Sequence, residues 1–589
     1  MGARRNPCRA TSPICPGMAR AAPIRSVSRA AAAAALALGI LFAVPAFPEE
    51  PGTLVPASPE EQGPPAPSVV PGEPVPNDAE LAALGATIGE IRIIPENIFD
   101  IADPREDNWL FRLANRLHIR TKPHVISHQL LFRTGDRYDR RLLDESERIL
   151  RSNRYLYDAL IRPVAFRDGR VDIEVRTRDV WTLRPAFSFA RKGGKNTSSI
   201  DLRETNLLGL GSGLSIAKTS TAERTTDSLE FSDAHLFGTW LSTGILLANT
   251  SDGSKRSYFL ERPFYALDAR WAAGVLFTEE DRIDSLVGVE TIAPRFRATK
   301  KFFRFSGGWS PGLRHGWAWR FLLGATRDES RFSAPPEGTV GAPVPADRVL
   351  AYPFAGFELL EDVFEEARNR DQIDRTEDFF LGMRLRATLG HASPRFGSDR
   401  RAWPFSASFG KGGRFGDRWT VTVNGSADGR VENGSARDTN LGATTRGYRR
   451  LSRRWLFFAS LSGTRSIDPD DDHQLLLGGD NGLRGYPQSY QAGDRKLLVT
   501  VEQRYYTEWY PFRLFRVGGA IFLDAGRAWG GNATGVPDKG LLRDAGIGLR
   551  IGNARSGLGN VIHVDIAFPF DGDPSIDRVQ LLVETKQSF

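Results

Sequence analysis

Cysteine is almost absent from this chain, and both cysteines, Cys8 and Cys15, lie near its start. The eight histidines are scattered, with no His-Glu-x-x-His pair. The common zinc helix of metalloproteases requires that pattern. The sequence therefore predicts no disulfide, no metal site, no cofactor and no catalytic residues in the mature chain, which we do not expect to be an enzyme.

Long hydrophobic runs are also missing. The apolar run from Ala30 to Val44 is too short to cross a bilayer as a helix. Arginines precede it, and Val44-Pro45-Ala46 offers a small-residue cleavage site, an order typical of a secretory signal peptide over residues 1–46. The charged part is long, so either Met1 or Met18 is the true start. The competing interpretation is an uncleaved membrane anchor.

The mature chain has no large excess of positive charge, because most of the excess lies in this leader. The formal net charge is +7, and subtracting the six arginines of the leader leaves +1. A nearly neutral mature chain gives no reason to expect nucleic-acid binding.

Two segments follow the leader before the pattern changes. Residues 47–86 are rich in proline and show no hydrophobic period, which predicts an extended linker. Residues 87–185 predict a small domain in the order strand, helix, helix, strand, strand, with Asp139 capping the second helix and Asp168-Gly169 forming a hairpin turn. The stretch Asp103–Lys122 reads as an insertion in this domain.

Residues 186–589 show short alternating runs separated by turns. Such alternation in a secreted chain predicts a mainly β fold, a transmembrane antiparallel β-barrel with lipid outside and water within. Allowing roughly 25 residues for each strand with its loop gives about 16 strands. The alternative is a large soluble β-sandwich or propeller. In the last segment Val583 faces lipid, and the chain ends in Phe589, an aromatic residue suited to the membrane interface.

Arg484 lies in a glycine-rich loop that includes Gly482, Leu483, Gly485 and Tyr486. The following two strands carry acidic residues, and strand parity places both of them on the inner face. Two carboxylates can hold a guanidinium from two sides, so the pattern predicts a loop tethered inside the barrel. The simpler alternative is an ordinary exposed loop arginine. The acidic residues are Glu502 and Asp524.

Leu483-Arg484-Gly485-Tyr486 resembles the arginine–glycine–aromatic motif of the BamA/TamA-type outer-membrane assembly superfamily, also called the bacterial surface antigen family. The resemblance implies that Arg484 sits on an extracellular loop folded into the barrel and contacts Glu502 and Asp524. It also implies that residues 87–185 form a POTRA-like module, and that Val583 and Phe589 belong to a terminal strand signal. The chain departs from the family's larger members in having one such module, and Val579–Phe589 lacks a glycine kink.

The resemblance implies a barrel of the bacterial outer membrane with its N-terminal domain in the periplasm. Its partners would be unfolded outer-membrane or secreted client proteins, outer-membrane lipid and a possible periplasmic accessory protein. A client strand would pair with an edge of the POTRA-like module or with the barrel seam. The alternative function is a passive pore or a dedicated exporter for a single partner. Asp468–His473 could bind a divalent cation, or more simply forms a solvated extracellular loop.

Overall fold

The computed structural model describes residues 75–586 with short gaps. The gaps are residues 193, 222, 287–294, 336–343, 417, 480, 532–537, 556–560, 573 and 575. The predicted signal peptide, most of the predicted linker and the terminal Phe589 lie outside the described residues. Among the described residues, no helix is both long enough and apolar enough to cross a membrane.

The N-terminal domain contains four helices and three strands. These are α1 (Asp78–Ala83), β1 (Thr87–Glu96), α2 (Trp109–Leu117), α3 (Pro123–Ser127), α4 (Arg140–Ser152), β2 (Leu156–Arg167) and β3 (Arg170–Asp179). Strand β3 lies in the middle of the sheet, parallel to β1 and antiparallel to β2. Alternate residues of β3 point into a core that includes Val171, Ile173 and Val175, against which α4 packs Leu143 and Leu150.

One local prediction differs from the structure in this domain, and the structure adds detail to a second. Helix α1 lies inside the segment predicted as an extended linker. The Asn77 side chain accepts from the Glu80 amide, and the Glu80 carboxylate accepts from the Asn77 amide, which forms a capping box. The stretch predicted as an insertion contains α2, which Asn108 caps by accepting from the Phe111 amide. Asp139 caps α4, as its position before the apolar stripe suggested.

The rest of the chain forms one large antiparallel sheet. Its strands are β4 (Arg184–Lys192), β5 (Lys195–Glu204), β6 (Gly213–Ser220), β7 (Thr225–Leu236), β8 (Leu241–Thr250), β9 (Gly253–Arg262), β10 (Trp271–Ser285), β11 (Arg295–Trp309), β12 (Leu313–Arg314), β13 (Trp317–Ser333), β14 (Arg348–Glu361), β17 (Arg384–Gly390), β18 (Trp403–Phe415), β19 (Trp419–Glu432), β20 (Ser435–Arg450), β21 (Trp455–Ile467), β24 (Arg495–Tyr506), β25 (Phe515–Trp529), β26 (Leu542–Asn553), β27 (Val561–Pro569) and β28 (Gln580–Lys586). The order returns to its start because β28 pairs with β4 through one residue pair, Val583 with Arg191.

The prediction of about 16 strands is wrong, since this sheet has 21 strands, of which β12 has only two residues. The estimate assumed loops too long for this chain. Several hairpins turn within a few residues, such as the link from Thr250 to Gly253 and the link from Glu432 to Ser435. In a chain of given length, tight hairpins use few residues and leave more residues for strands.

Side chains alternate between two faces along each strand. In β25, Ile521 and Leu523 are exposed while Phe522 and Asp524 are buried, as the alternating sequence predicted. Val517, which the same alternation places with Ile521 and Leu523 on the outer face, is buried instead. We call the face that carries Asp524 the inner face.

Two hairpins leave the main sheet and cover its inner face. The first is β15 (Phe364–Ala367) with β16 (Glu377–Phe380), in the connection between β14 and β17. The second is β22 (Leu475–Leu477) with β23 (Gln491–Gly493), in the connection between β21 and β24. We call residues 362–383 the inner turn and residues 468–494 the arginine loop.

Candidate functional site

The arginine loop carries Arg484 onto the inner face. Its tight course depends on two glycines. Gly482 has a φ of +126°, a conformation that other residues rarely adopt. A Cβ atom on Gly485 would lie 2.6 Å from the Cβ of Asp544, so the backbone passes too close to β26 for a side chain.

Arg484 contacts both acidic residues that the sequence pointed to. Its Nε and Nη2 donate to the two carboxylate oxygens of Asp524 at 2.7 and 3.0 Å, and its Nη1 donates to Glu502 Oε1 at 2.7 Å. The guanidinium also stacks over the Phe522 ring, 3.4 Å from its centroid. Arg484 is 5% exposed and Asp524 0% exposed, so water does not screen this pairing.

The network is larger than the sequence predicted. Arg484 Nη1 also donates to Asp565 Oδ2 at 3.3 Å, and Arg550 binds the other oxygen of Asp565. Arg504 Nε donates to Glu502 Oε2 at 2.8 Å. Three buried guanidinium groups therefore face these three buried carboxylates, and each of the carboxylates has a cationic partner in the shielded interior.

Leu483 and Tyr486 anchor the loop on either side of Arg484. Leu483 is fully buried in a cluster with Leu477 and Leu542. The Tyr486 hydroxyl donates to the Arg543 carbonyl at 2.7 Å and accepts from the Arg543 amide at 3.1 Å and from the Asp571 amide at 3.2 Å. One hydroxyl thus fixes the loop to β26 and to the connection that precedes β28.

The acidic start of the arginine loop lies along the inner face of the strand ends. Arg430 donates to both oxygens of Asp470 at 2.8 and 2.7 Å, and Lys300 Nζ lies 2.7 Å from Asp472 Oδ2. Asp438, Asp470 and His473 come close enough to share an ion, but Arg430 and Arg348 already neutralise Asp470. Asp468, Pro469, Asp471 and His473 are exposed, as expected of a solvated loop, whereas basic residues of β11, β14 and β19 hold Asp470 and Asp472.

The inner turn connects the N-terminal domain to the Arg484 network. Arg151 of α4 donates to both oxygens of Asp378 at 2.9 and 2.7 Å and to Glu366 at 2.7 Å. At the far side of the same turn, the Arg370 carbonyl accepts from Arg504 Nη1 at 2.7 Å. Since Arg504 also binds Glu502, a continuous chain of contacts runs from α4 to Arg484.

Val583 lies in β28 and, among the described residues, pairs with Arg191 of β4. Phe589, the other residue of the predicted terminal signal, lies outside the described residues. Sequence reasoning missed Asp565 and Arg550. The alternation of side chains along each strand was the available signal, because it places charged residues on the inner face of two otherwise apolar strands. These residues are Asp544 and Arg550 in β26, and His563 and Asp565 in β27.

Comparison with known proteins found no matching protein-family model and no matching curated protein. Among solved structures, the chain is similar to BamA from Haemophilus ducreyi lacking POTRA domains 1–3, with 13% identity, 85% of each chain covered and a TM-score of 0.36. It is also similar to CdiB from Escherichia coli, with 13% identity, 85% of this chain and 76% of that chain covered, and a TM-score of 0.43. CdiB from Acinetobacter baumannii gives 11% identity, coverage of 85% and 73%, and a TM-score of 0.38. At these values the similarity assigns no activity to the chain.

Proposed function

We propose that this chain is a β-barrel of the bacterial outer membrane that assists the insertion or translocation of client proteins. The outer face of the sheet supports the membrane placement. Mid-strand apolar side chains on that face are exposed, among them Leu323 at 68% and Ile521 at 60%. A contiguous apolar band on the outside of a closed strand order suits lipid rather than water.

The seam between β4 and β28 carries the functional proposal. Strand β4 pairs with β5 from Arg184 to Lys192, and β28 pairs with β27 from Val561 to Ala567. Among the described residues of β4 and β28, the register joins Val583 to Arg191 alone. Two facing strands that are joined at so few positions form a template to which a client strand can add by main-chain hydrogen bonds.

The β2 edge of the N-terminal sheet is a weaker candidate for strand addition. On the open side of β2, Arg151 Nη1 donates to the Ala159 carbonyl at 3.2 Å, and the Ile161 amide donates to Glu147. Arg375 of the inner turn donates to the Leu156 carbonyl at 3.0 Å. Side chains therefore already occupy backbone groups that a client would need, which favours the seam.

The occupied interior argues against a passive pore. The arginine loop and the inner turn both bind the inner face through buried ion pairs, and no covalent chemistry is needed for the proposed role. A dedicated exporter remains the second candidate, because the described residues contain one N-terminal α+β domain. Depletion followed by outer-membrane proteomics separates the two: broad loss of barrel proteins supports assembly, and loss of one secreted protein supports export.

A disulfide lock tests the seam directly. In a Cys8→Ser, Cys15→Ser background, Arg191→Cys with Val583→Cys should bind β4 to β28 on oxidation. We expect the oxidised variant to reproduce the depletion proteome and a reductant to restore it. The control is Val564→Cys with Val583→Cys, which locks two strands that are already paired. Loss of function in both variants, or in neither, contradicts strand addition at this seam.

A further inference from the structure

Helix α2 presents an apolar stripe that the fold leaves uncovered. Trp109, Leu113 and Leu117 repeat every four residues, and Leu110 lies beside them. Residues at this spacing line one face of a helix. Their exposed fractions are 74%, 41%, 64% and 51% in the order given. A contiguous exposed apolar surface of this kind indicates a binding face.

The opposite face of α2 fixes the helix to the end of the large sheet. The Phe111 ring stacks on Phe99 with centroids 3.9 Å apart, and the Asn115 amide nitrogen donates to the Phe99 carbonyl at 2.8 Å. Leu514, in the turn between β24 and β25, packs on the same cluster. Arg555, just after β26, donates to the Ile98 carbonyl at 2.7 Å. The exposed stripe therefore has a fixed place at the rim of the sheet.

The rim beside α2 is rich in exposed aromatic side chains. Trp509 and Phe512 lie in the turn that contains Leu514, and they are 65% and 79% exposed. Further round the same end, Trp455 begins β21, and Trp309 pairs with Trp271 at the start of β10. A girdle of aromatic residues marks the level of the membrane interface in barrels of this type.

Basic side chains lie next to the stripe. Arg112 and Arg116 are exposed and sit three and seven residues after Trp109, on the flank of the apolar face. Arg120 and Lys122, just beyond the helix, are exposed as well. A short helix with Trp and Leu on one face and basic residues beside them suits a surface of lipid chains and anionic headgroups.

We propose that α2 is an interfacial helix whose Trp109–Leu117 stripe inserts into the phospholipid leaflet next to the barrel. The inference rests on the proposed membrane placement of the large sheet and adds a second, separate membrane contact. This contact would hold the N-terminal domain at the membrane surface, close to the seam.

Lipid-embedded quenchers test the proposal. Leu117→Cys, in the Cys8→Ser, Cys15→Ser background, is labelled with an environment-sensitive fluorophore and reconstituted in vesicles that contain brominated phospholipids. Two matched sites accompany it. Leu323→Cys, on the outer face of β13, reports the barrel wall, and Leu84→Cys, 63% exposed after α1, reports the N-terminal domain away from the helix.

We expect quenching at positions 323 and 117 and none at position 84. Bromines near the headgroup should quench position 117 more strongly than bromines near the chain ends, with the reverse order at position 323. Quenching at 323 without quenching at 117 overturns the helix proposal and leaves the barrel placement standing. A blue-shifted, unquenched label at 117 shows that another protein segment covers the stripe, which also overturns it. Absence of quenching at both positions contradicts the membrane placement itself.

Discussion

At the residue scale, Arg484 should contribute more to the stability of the folded protein than an exposed arginine does. Arg484→Ala leaves Asp524 buried without its two-bond partner, while Glu502 keeps Arg504. Removing one partner of a buried ion pair typically costs about 3–5 kcal/mol. Thermal unfolding in detergent, followed by heat-modifiability on gels, measures the loss. Arg543→Ala is the matched control, because Arg543 makes a similar two-bond pair with Asp571 at 3.0 and 2.9 Å but is exposed. Equal stability of the two variants would show that the buried network does not hold the loop.

Tyr486→Phe tests the second anchor of the arginine loop. The change removes one hydroxyl and leaves the carbonyl and amide of Arg543 and the amide of Asp571 without that partner. The Arg543 carbonyl keeps the Phe570 amide as a partner at 2.9 Å, so the change leaves the two amides without theirs. Losing the partner of a backbone amide in the interior costs about 1–3 kcal/mol. We expect a smaller loss of stability than for Arg484→Ala, together with faster proteolysis of the arginine loop. Wild-type protease resistance would mean that Leu483 alone fixes this side.

The sequence could indicate Arg484, Glu502 and Asp524 because they are near one another along the chain and strand parity is a local rule. Alternation can place Asp565 on the inner face, but it cannot predict the contact with Arg484, from which Asp565 is 81 positions and two further strands away. Which inward-facing charges meet across an interior depends on strand order and loop path. Those properties are not local.

At the element scale, the inner turn should depend on α4. Arg151→Ala removes the ion pairs to Asp378 and Glu366 while leaving the contact between Arg504 and the Arg370 carbonyl. We expect faster hydrogen exchange across residues 362–383, measured by mass spectrometry, with little change in the strands. Arg162→Ala is the control, since Arg162 pairs with Glu174 within the N-terminal domain alone. Equal exchange in the two variants would rule out α4 as the anchor.

The inner turn should also respond to pH through Glu377. Burial raises the pKa of this carboxyl to about 7, although it accepts from the amides of Arg370, Asp371 and Gln372, and the charge of Asp371 adds to the rise. Glu377 therefore binds a proton more tightly when the inner turn is packed on the inner face than when the turn is released into water. Docking should be firm at low pH and weaken as the pH rises from about 4.5 to about 7. Hydrogen exchange corrected for its intrinsic pH dependence measures this, and Glu377→Gln should abolish the trend.

The strands and the arginine loop differ in how far the sequence predicts them. Alternation predicted the strands, because successive side chains of a strand point to opposite faces whatever its neighbour is. It did not predict that Asp470 and Asp472 bind basic residues of the inner face. That outcome depends on Lys300, Arg348 and Arg430, which come from three distant strands.

At the scale of the whole molecule, the interior is closed from both ends of the large sheet. The arginine loop joins β21 to β24 at one end, and the inner turn joins β14 to β17 at the end that meets the N-terminal domain. They meet at Arg504, which binds Glu502 and the Arg370 carbonyl. An ion crossing the barrel must therefore pass two obstructions that brace each other.

This bracing predicts the electrical behaviour of the protein in planar bilayers. The wild-type chain should give small, erratic openings. Replacement of residues 364–380 by a short Gly-Ser turn should give larger and longer openings, because Arg504 loses the Arg370 carbonyl and one obstruction is gone. Arg484→Ala in the shortened chain should enlarge them further, since the arginine loop then loses its remaining ionic hold on β24 and β25. Large, stable openings in the wild-type chain would instead indicate an open pore and contradict the braced interior.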